Sequence, residues 1–273
     1  RFIGLEESQV LLTPGSDAAI KLIFETYVSA GQEVMLLDPT YAMIEVYADM
    51  FGARKKKIFF SDDLELDFDG LLAQITEVTR AVFIANPNQP TGTILSQGDV
   101  VRLLQKTAAT NTLLVLDEAY IAFSGQASAS QYIRQYPNLL VTQTFSKAMG
   151  LASVRLGFIA SQSLNIESLF KPKTLADINL FALRFGEYLI DHYQLVEQYI
   201  ADIQASKEYL KIELGKLGIE CIPSYANFMH LKFREGLNLA EIAKLMTQQG
   251  YLVRTQGSGL PAVLKNCIRI TMG

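Results

Sequence analysis

The segment TFSKAMGLASVRLGF, residues 144–158, sets Lys147 directly after Ser146 and follows it with Ala148, Gly150, Ala152 and Ser153 before Arg155. A lysine on a solvated face needs no such neighbours, whereas an amine that reaches a flat ligand through a crowded turn needs small ones. Arg155 adds a fixed positive charge whose rigid fork of donors suits an anion. Four other clusters carry chemistry of their own. TPGSDAAIK (13–21) puts Gly15, Ser16 and Asp17 at a helix start, where free N–H groups and the helix dipole favour a phosphate. DPTYA (38–42) offers the Tyr41 ring for stacking on a planar ligand. NPNQPTGT (86–93) presents the side-chain amides of Asn86, Asn88 and Gln89, and LLVLDEAY (113–120) ends in Asp117, Glu118 and Tyr120.

Each cluster has a plainer reading. Ser-Asp before a helix is commonly a cap, an aromatic ring commonly packs, and Pro and Gly in a polar loop follow turn chemistry. An apolar strand ending in Asp-Glu also resembles the metal-holding element of a nucleotide hydrolase, but no GxxxxGK[ST] loop accompanies it in this chain. Taken together the clusters are more specific. A lysine amine, a strand-end acid, a phenol, a ring to stack and a phosphate cradle are the set that pyridoxal phosphate requires. The lysine forms an imine with the cofactor. The acid keeps the pyridine nitrogen protonated, and the phenol and an amide tune the ring oxygen.

These clusters need elements that bring them to one place. QVLL (9–12), EVMLL (33–37), RAVFIA (80–85), TLLVL (112–116), LLVTQTF (139–145) and LGFIA (156–160) predict buried strands separated by helices. Near-continuous apolar strands imply a mostly parallel sheet with helices on both faces, in which ligands gather beyond the carboxyl ends of the strands. The basic run Arg54–Lys57 decorates the start of a further strand. A long helix over 187–217 then leads to a smaller α+β region with strands near 226–232, 251–254 and 267–271 and a helix near 238–249. The division falls at 1–185 and 186–273. The chain has 273 residues, 49% hydrophobic and 19% charged, with a net charge of −4. That composition suits a globular protein without a membrane span or broad nucleic-acid binding. Cys221 and Cys267 fit free thiols in a reducing, cytoplasmic setting. His192 and His230 share no metal-ligand spacing and read as packing or surface residues, and no metal is expected.

The order PGSD, DPTY, a PTG loop, DEAY, SK and a later arginine resembles the fold-type I pyridoxal-phosphate aminotransferases of class I/II. TFSKAMGLAS is similar to the class II attachment pattern. PSYANF (223–228) and IRITMG (268–273) resemble the histidinol-phosphate aminotransferases in particular. The resemblance covers nearly the whole chain. It implies that Lys147 attaches the cofactor, Asp117 pairs with the pyridine nitrogen, Tyr120 bonds the ring oxygen and Tyr41 stacks on the ring. Gly15, Ser16, Asp17, Ser146 and Arg155 would hold the phosphate, with Thr144 a further cofactor-binding residue. Arg269 would grip the carboxylate or phosphate end of a substrate, with Asn227 and Arg254 nearby. The family's asparagine before Pro-Thr-Gly is here Gln89, so Asn88 or Gln89 takes the contact to the ring oxygen.

The implied activity moves an amino group between an amino acid, or a histidinol-phosphate-like amino-alcohol phosphate, and a 2-oxo acid. The family's homodimeric state comes with it. A decarboxylase of a phosphorylated amino acid would use the same cofactor residues. Relatives carry residues before the phosphate-binding strand and after ITMG, so a non-catalytic relic or regulatory domain is the third reading.

Overall fold

The computed structural model describes residues 3–255 and 261–273. In chain order it contains β1 (Val10–Thr13), α1 (Gly15–Tyr27), β2 (Glu33–Asp38), α2 (Ala42–Met50), β3 (Arg54–Phe59), α3 (Phe68–Gln74), β4 (Thr79–Ala85), α4 (Gln97–Ala109), β5 (Leu113–Asp117), β6 (Leu139–Thr144) and β7 (Gly157–Ala160). There follow α5 (Ser163–Phe170), α6 (Leu180–Asp191), α7 (Gln194–Lys216), β8 (Glu220–Ile222), β9 (Phe228–Lys232), α8 (Leu239–Gln248) and β10 (Cys267–Thr271).

Seven strands form one sheet in the order β1-β7-β6-β5-β4-β2-β3, and all run the same way except β7. Alternation along each strand sends successive side chains to opposite faces. Met35, Leu37, Val82, Ile84, Leu114 and Leu116 pack against Leu71, Val100, Leu103 and Leu104 from α3 and α4. Val34, Leu36, Phe83 and Val115 pack on the other side against Ile20, Phe24, Ile44 and Leu169 from α1, α2 and α5. The Phe24 and Phe83 rings stack with centroids 4.2 Å apart at the centre of that second layer. Burial on both faces explains why β2, β4 and β5 are apolar along most of their length.

The smaller sheet is antiparallel, ordered β10-β9-β8, with Met229, Leu231, Cys221 and Ile270 turned toward α7. Three features differ from the sequence reading. The helix expected over 187–217 is two helices, because His192 leaves helical geometry at φ −117° and ψ 43° and closes α6. The strand expected at 251–254 is a single bridge between Arg254 and Arg269. The short strand β8 has only half-buried and exposed side chains, so no apolar run marks it.

Candidate active site

The parallel direction of β1, β2, β4, β5 and β6 delivers Gly15, Tyr41, Asn86, Asp117 and Lys147 to one edge of the sheet, each at or just past a strand's carboxyl end. β7 runs the other way and therefore starts at that edge, with Gly157 level with Thr13 and Thr144. Arg155, two residues before Gly157, arrives there for the same reason. A cavity of about 260 Å³ results, lined by Ser16, Asp17, Tyr41, Gln89, Asp117, Tyr120, Thr144, Ser146, Lys147, Arg155 and Arg269.

One end of the cavity suits an anion. No side chain caps α1, whose N-cap is Pro14, so the reading of Ser16 and Asp17 as a simple cap fails. Gly15 has φ +84°, and a Cβ there would sit 2.6 Å from the Arg155 guanidinium. The space above the helix start is thus kept clear by glycine and filled by a cation. Arg155 is itself in the left-handed region at φ 59°, and donates to Ser146 Oγ at 3.3 Å and to the Pro14 carbonyl at 3.2 Å. Thr144 Oγ1 donates to Ser146 Oγ at 3.0 Å, which fixes that hydroxyl beside the lysine.

At the other end Asp117 is buried and accepts from Thr142 Oγ1 at 2.8 Å. Burial pushes its carboxyl up to about 6, against the pull of the Thr142 hydrogen bond and the Lys147 charge. A buried acid held this high favours a cationic partner, which would restore its ionised form. Lys147 Nζ lies 5.1 Å from the centre of the Tyr120 ring. Tyr41 borders the cavity, and its hydroxyl and that of Tyr47 donate to the two oxygens of Asp17 at 3.4 and 3.0 Å. Burial and the Asp17 charge raise the Tyr41 hydroxyl; burial and the bond to Asp17 push that of Tyr47 up to about 12. Anion cradle, amine, raised acid and flanking ring fit pyridoxal phosphate.

Adjacent positions separate cleanly. Glu118 points away from the cavity and accepts from Ser128 Oγ, from the Ala129 N–H at 2.7 Å and from Gln143 Nε2 at 2.9 Å. Burial raises this carboxyl to about 7 despite those bonds. In the polar loop, Gln89 lines the cavity and Asn88 does not. Asn88 Nδ2 is spent on the Pro39 carbonyl and Thr91 Oγ1 at 3.0 and 2.8 Å, and Asn86 accepts from the Leu95 N–H.

Arg269 is brought to the cavity by the small sheet, with its guanidinium carbon 5.1 Å from the centre of the Phe228 ring. Phe228 in turn meets Tyr120 edge to face at 5.5 Å. Asn227 stays off the cavity wall and donates to the Met272 carbonyl at 3.2 Å, and Arg254 exchanges backbone hydrogen bonds with Arg269. His230, read from the sequence as a packing or surface residue, lies fully buried as the cross-strand partner of Arg269. The alternation Phe228-His230 opposite Arg269 was the available signal.

The family description "Aminotransferase class I and II" matches residues 1–273, and the chain belongs to that family of pyridoxal-phosphate-dependent enzymes. It is 31% identical to a histidinol-phosphate aminotransferase of Vibrio cholerae over 281 residues, covering 100% of this chain and 77% of that one. The corresponding protein of Bacteroides fragilis is 31% identical over 269 residues, covering 97% of this chain and 76% of its own length. Among solved structures, the histidinol-phosphate aminotransferase of Sinorhizobium meliloti in complex with pyridoxal-5'-phosphate superposes with a TM-score of 0.88 at 25% identity, covering 99% of this chain and 74% of that one.

Proposed function

We propose that this chain transfers an amino group between a histidinol-phosphate-like amine, or an amino acid, and a 2-oxo acid, using pyridoxal phosphate held by Lys147, Asp117, Tyr120, Tyr41, Gln89 and Arg155. The observation that carries the reading is the single cavity in which the lysine, the raised acid, the phenol and two arginines meet. When bound, the cofactor supplies an aldehyde that takes up the amino group and a ring that draws electrons from the carbon bearing it.

The side chains account for the rest. Arg155, with the uncapped start of α1 and Ser146, holds the phosphate. Asp117 would be the counter-ion of the ring nitrogen, Tyr41 would stack on the ring and Tyr120 would bond its oxygen. The Lys147 amine takes a proton from the substrate's Cα and returns it on the other side of the exchange, acting as general base and then acid. Arg269 fixes the acidic end of the substrate, which aims the Cα–H bond at the lysine.

The cofactor-binding unit covers 1–185 and the small unit 186–273 in this reading, with the boundary inside α6. The side chains of Leu180, Phe181, Phe185 and Tyr188 on that helix are exposed, which supports an apolar contact with a second copy in a homodimer. No helix among the described residues is long and apolar enough to cross a membrane. The two free cysteines support a cytoplasmic setting.

The test is borohydride reduction of the protein incubated with pyridoxal phosphate, followed by peptide mapping and a turnover assay with histidinol phosphate and 2-oxoglutarate. A reduced adduct on Lys147 together with keto-acid-dependent turnover supports the reading. Carbon dioxide release without need of a keto acid would replace it with decarboxylation, and absence of the adduct would overturn it.

A further inference from the structure

β9 and β10 set His230 opposite Arg269, and Phe228 lies on the same face two residues earlier. His230 has 0% of its surface exposed, and neither ring nitrogen has a hydrogen-bond partner. Arg269 Nε is also buried and without one. Unpaired buried polar atoms are costly, and an aliphatic side chain would fill the same space without that cost. The surroundings of the imidazole are the Phe228 ring, edge to face at 5.7 Å, Ile222 across on β8, and Arg269. Among the described residues no carboxylate is paired with it. Burial and the Arg269 charge push its nitrogen down to about 4, so it is neutral near pH 7 and keeps one nitrogen as an acceptor.

We infer that His230 is a positioning residue for Arg269: the two unpartnered groups, cross-strand neighbours, pair when an acidic substrate seats, the free ring nitrogen then accepting from the Arg269 Nε–H and aiming the two outer nitrogens of the guanidinium at the substrate's acidic group. The chemistry of the pair is complementary, since Arg269 Nε lacks an acceptor and the neutral imidazole has one to offer. A guanidinium grips a carboxylate or phosphate best with two parallel donors, and that orientation is lost if the fork rotates about its axis. Packing over Phe228 limits tilt, and the imidazole limits rotation. The inference rests on the reading of Arg269 as the substrate's anchor.

The test uses the cofactor-loaded enzyme and two probes, histidinol phosphate as substrate and glutarate as a dicarboxylate without an amine. The variants are His230→Leu, His230→Met as a second apolar choice should the first not fold, His230→Gln and Arg269→Ala. The apolar variants are expected to raise KM and weaken calorimetric glutarate binding, each about tenfold, while kcat stays within about twofold. His230→Gln, which restores an acceptor, is expected to recover most of that loss. If Arg269→Ala loses glutarate binding but the apolar His230 variants keep it, the inference fails and the anchor reading stands. Equal losses in the apolar and glutamine variants would reduce His230 to packing and also overturn it. Unchanged glutarate binding in Arg269→Ala would remove the anchor reading, and the inference with it.

Discussion

The large and small sheets treat buried polar groups in opposite ways. At the carboxyl edge of the large sheet, Asn86, Asn88, Asp117 and Glu118 each accept or donate well-formed hydrogen bonds inside the protein. In the small sheet, His230 and Arg269 carry buried nitrogens with none. The first region is fixed before any ligand arrives, as a site for a resident cofactor must be, because preorganised groups need no rearrangement when charge develops. The second retains unused donors and acceptors where, in the proposed reading, a transient, acidic substrate would meet it.

The largest test of this contrast is Lys147→Ala. Turnover is expected to fall at least about 10⁴-fold while thermal stability changes little, since the side chain is half-exposed and, in the proposed reading, serves the chemistry. Wild-type turnover in that variant would dissolve the contrast. Arg155→Ala should weaken cofactor affinity about 10- to 100-fold, read by titrating the visible absorbance band, with a smaller effect on KM for the amine. An effect confined to KM would place the anion site on the substrate side instead. Gly157→Ala should destabilise the fold by roughly 1–3 kcal/mol in a denaturant titration, because a Cβ would meet the Gln143 carbonyl and Gly15 at 2.7 Å. The smallest effect is a pH slope. Glu118 has its proton affinity raised in the folded state, so it favours folding below the usual glutamate range and that contribution is lost as pH rises from about 4 to about 7. Asp117 adds a fall of the same sign up to about 6. Glu118→Gln should therefore flatten, without abolishing, the decline in stability across that window; an unchanged slope would show that the carboxyl is not held there.

Much of this arrangement is legible in the chain because burial on two faces writes itself as apolar runs. RAVFIA and TLLVL could hardly be anything but interior strands, and once their direction is known the motifs that follow them share an edge. β3 is harder to read, since Arg54, Lys55, Lys56 and Lys57 occupy four of its six positions and only Ile58 is buried. The break at His192 is hidden because the apolar spacing continues across it. At the site, motif order points to Lys147, Asp117 and Arg155, but it cannot separate Asn88 from Gln89. That distinction depends on which amide the Pro39 carbonyl and Thr91 capture. His230 reads only as a packing or surface residue because an isolated histidine in a strand carries no further signal until its opposite residue is known.

The lysines of β3 have a further consequence. This strand closes one side of the large sheet, pairing among the described residues only with β2. Arg54 donates to the Gly31 carbonyl, Lys56 to the Gln74 carbonyl, Lys55 reaches Asp49, and Lys57 bridges Asp38 and Glu45. A foreign strand approaching this rim would have to strip water from a fringe of cations already committed to other partners. The rim is thereby protected against fibre-like growth, and its basic composition favours solubility at high concentration without touching the chemistry at the far end of the same strands.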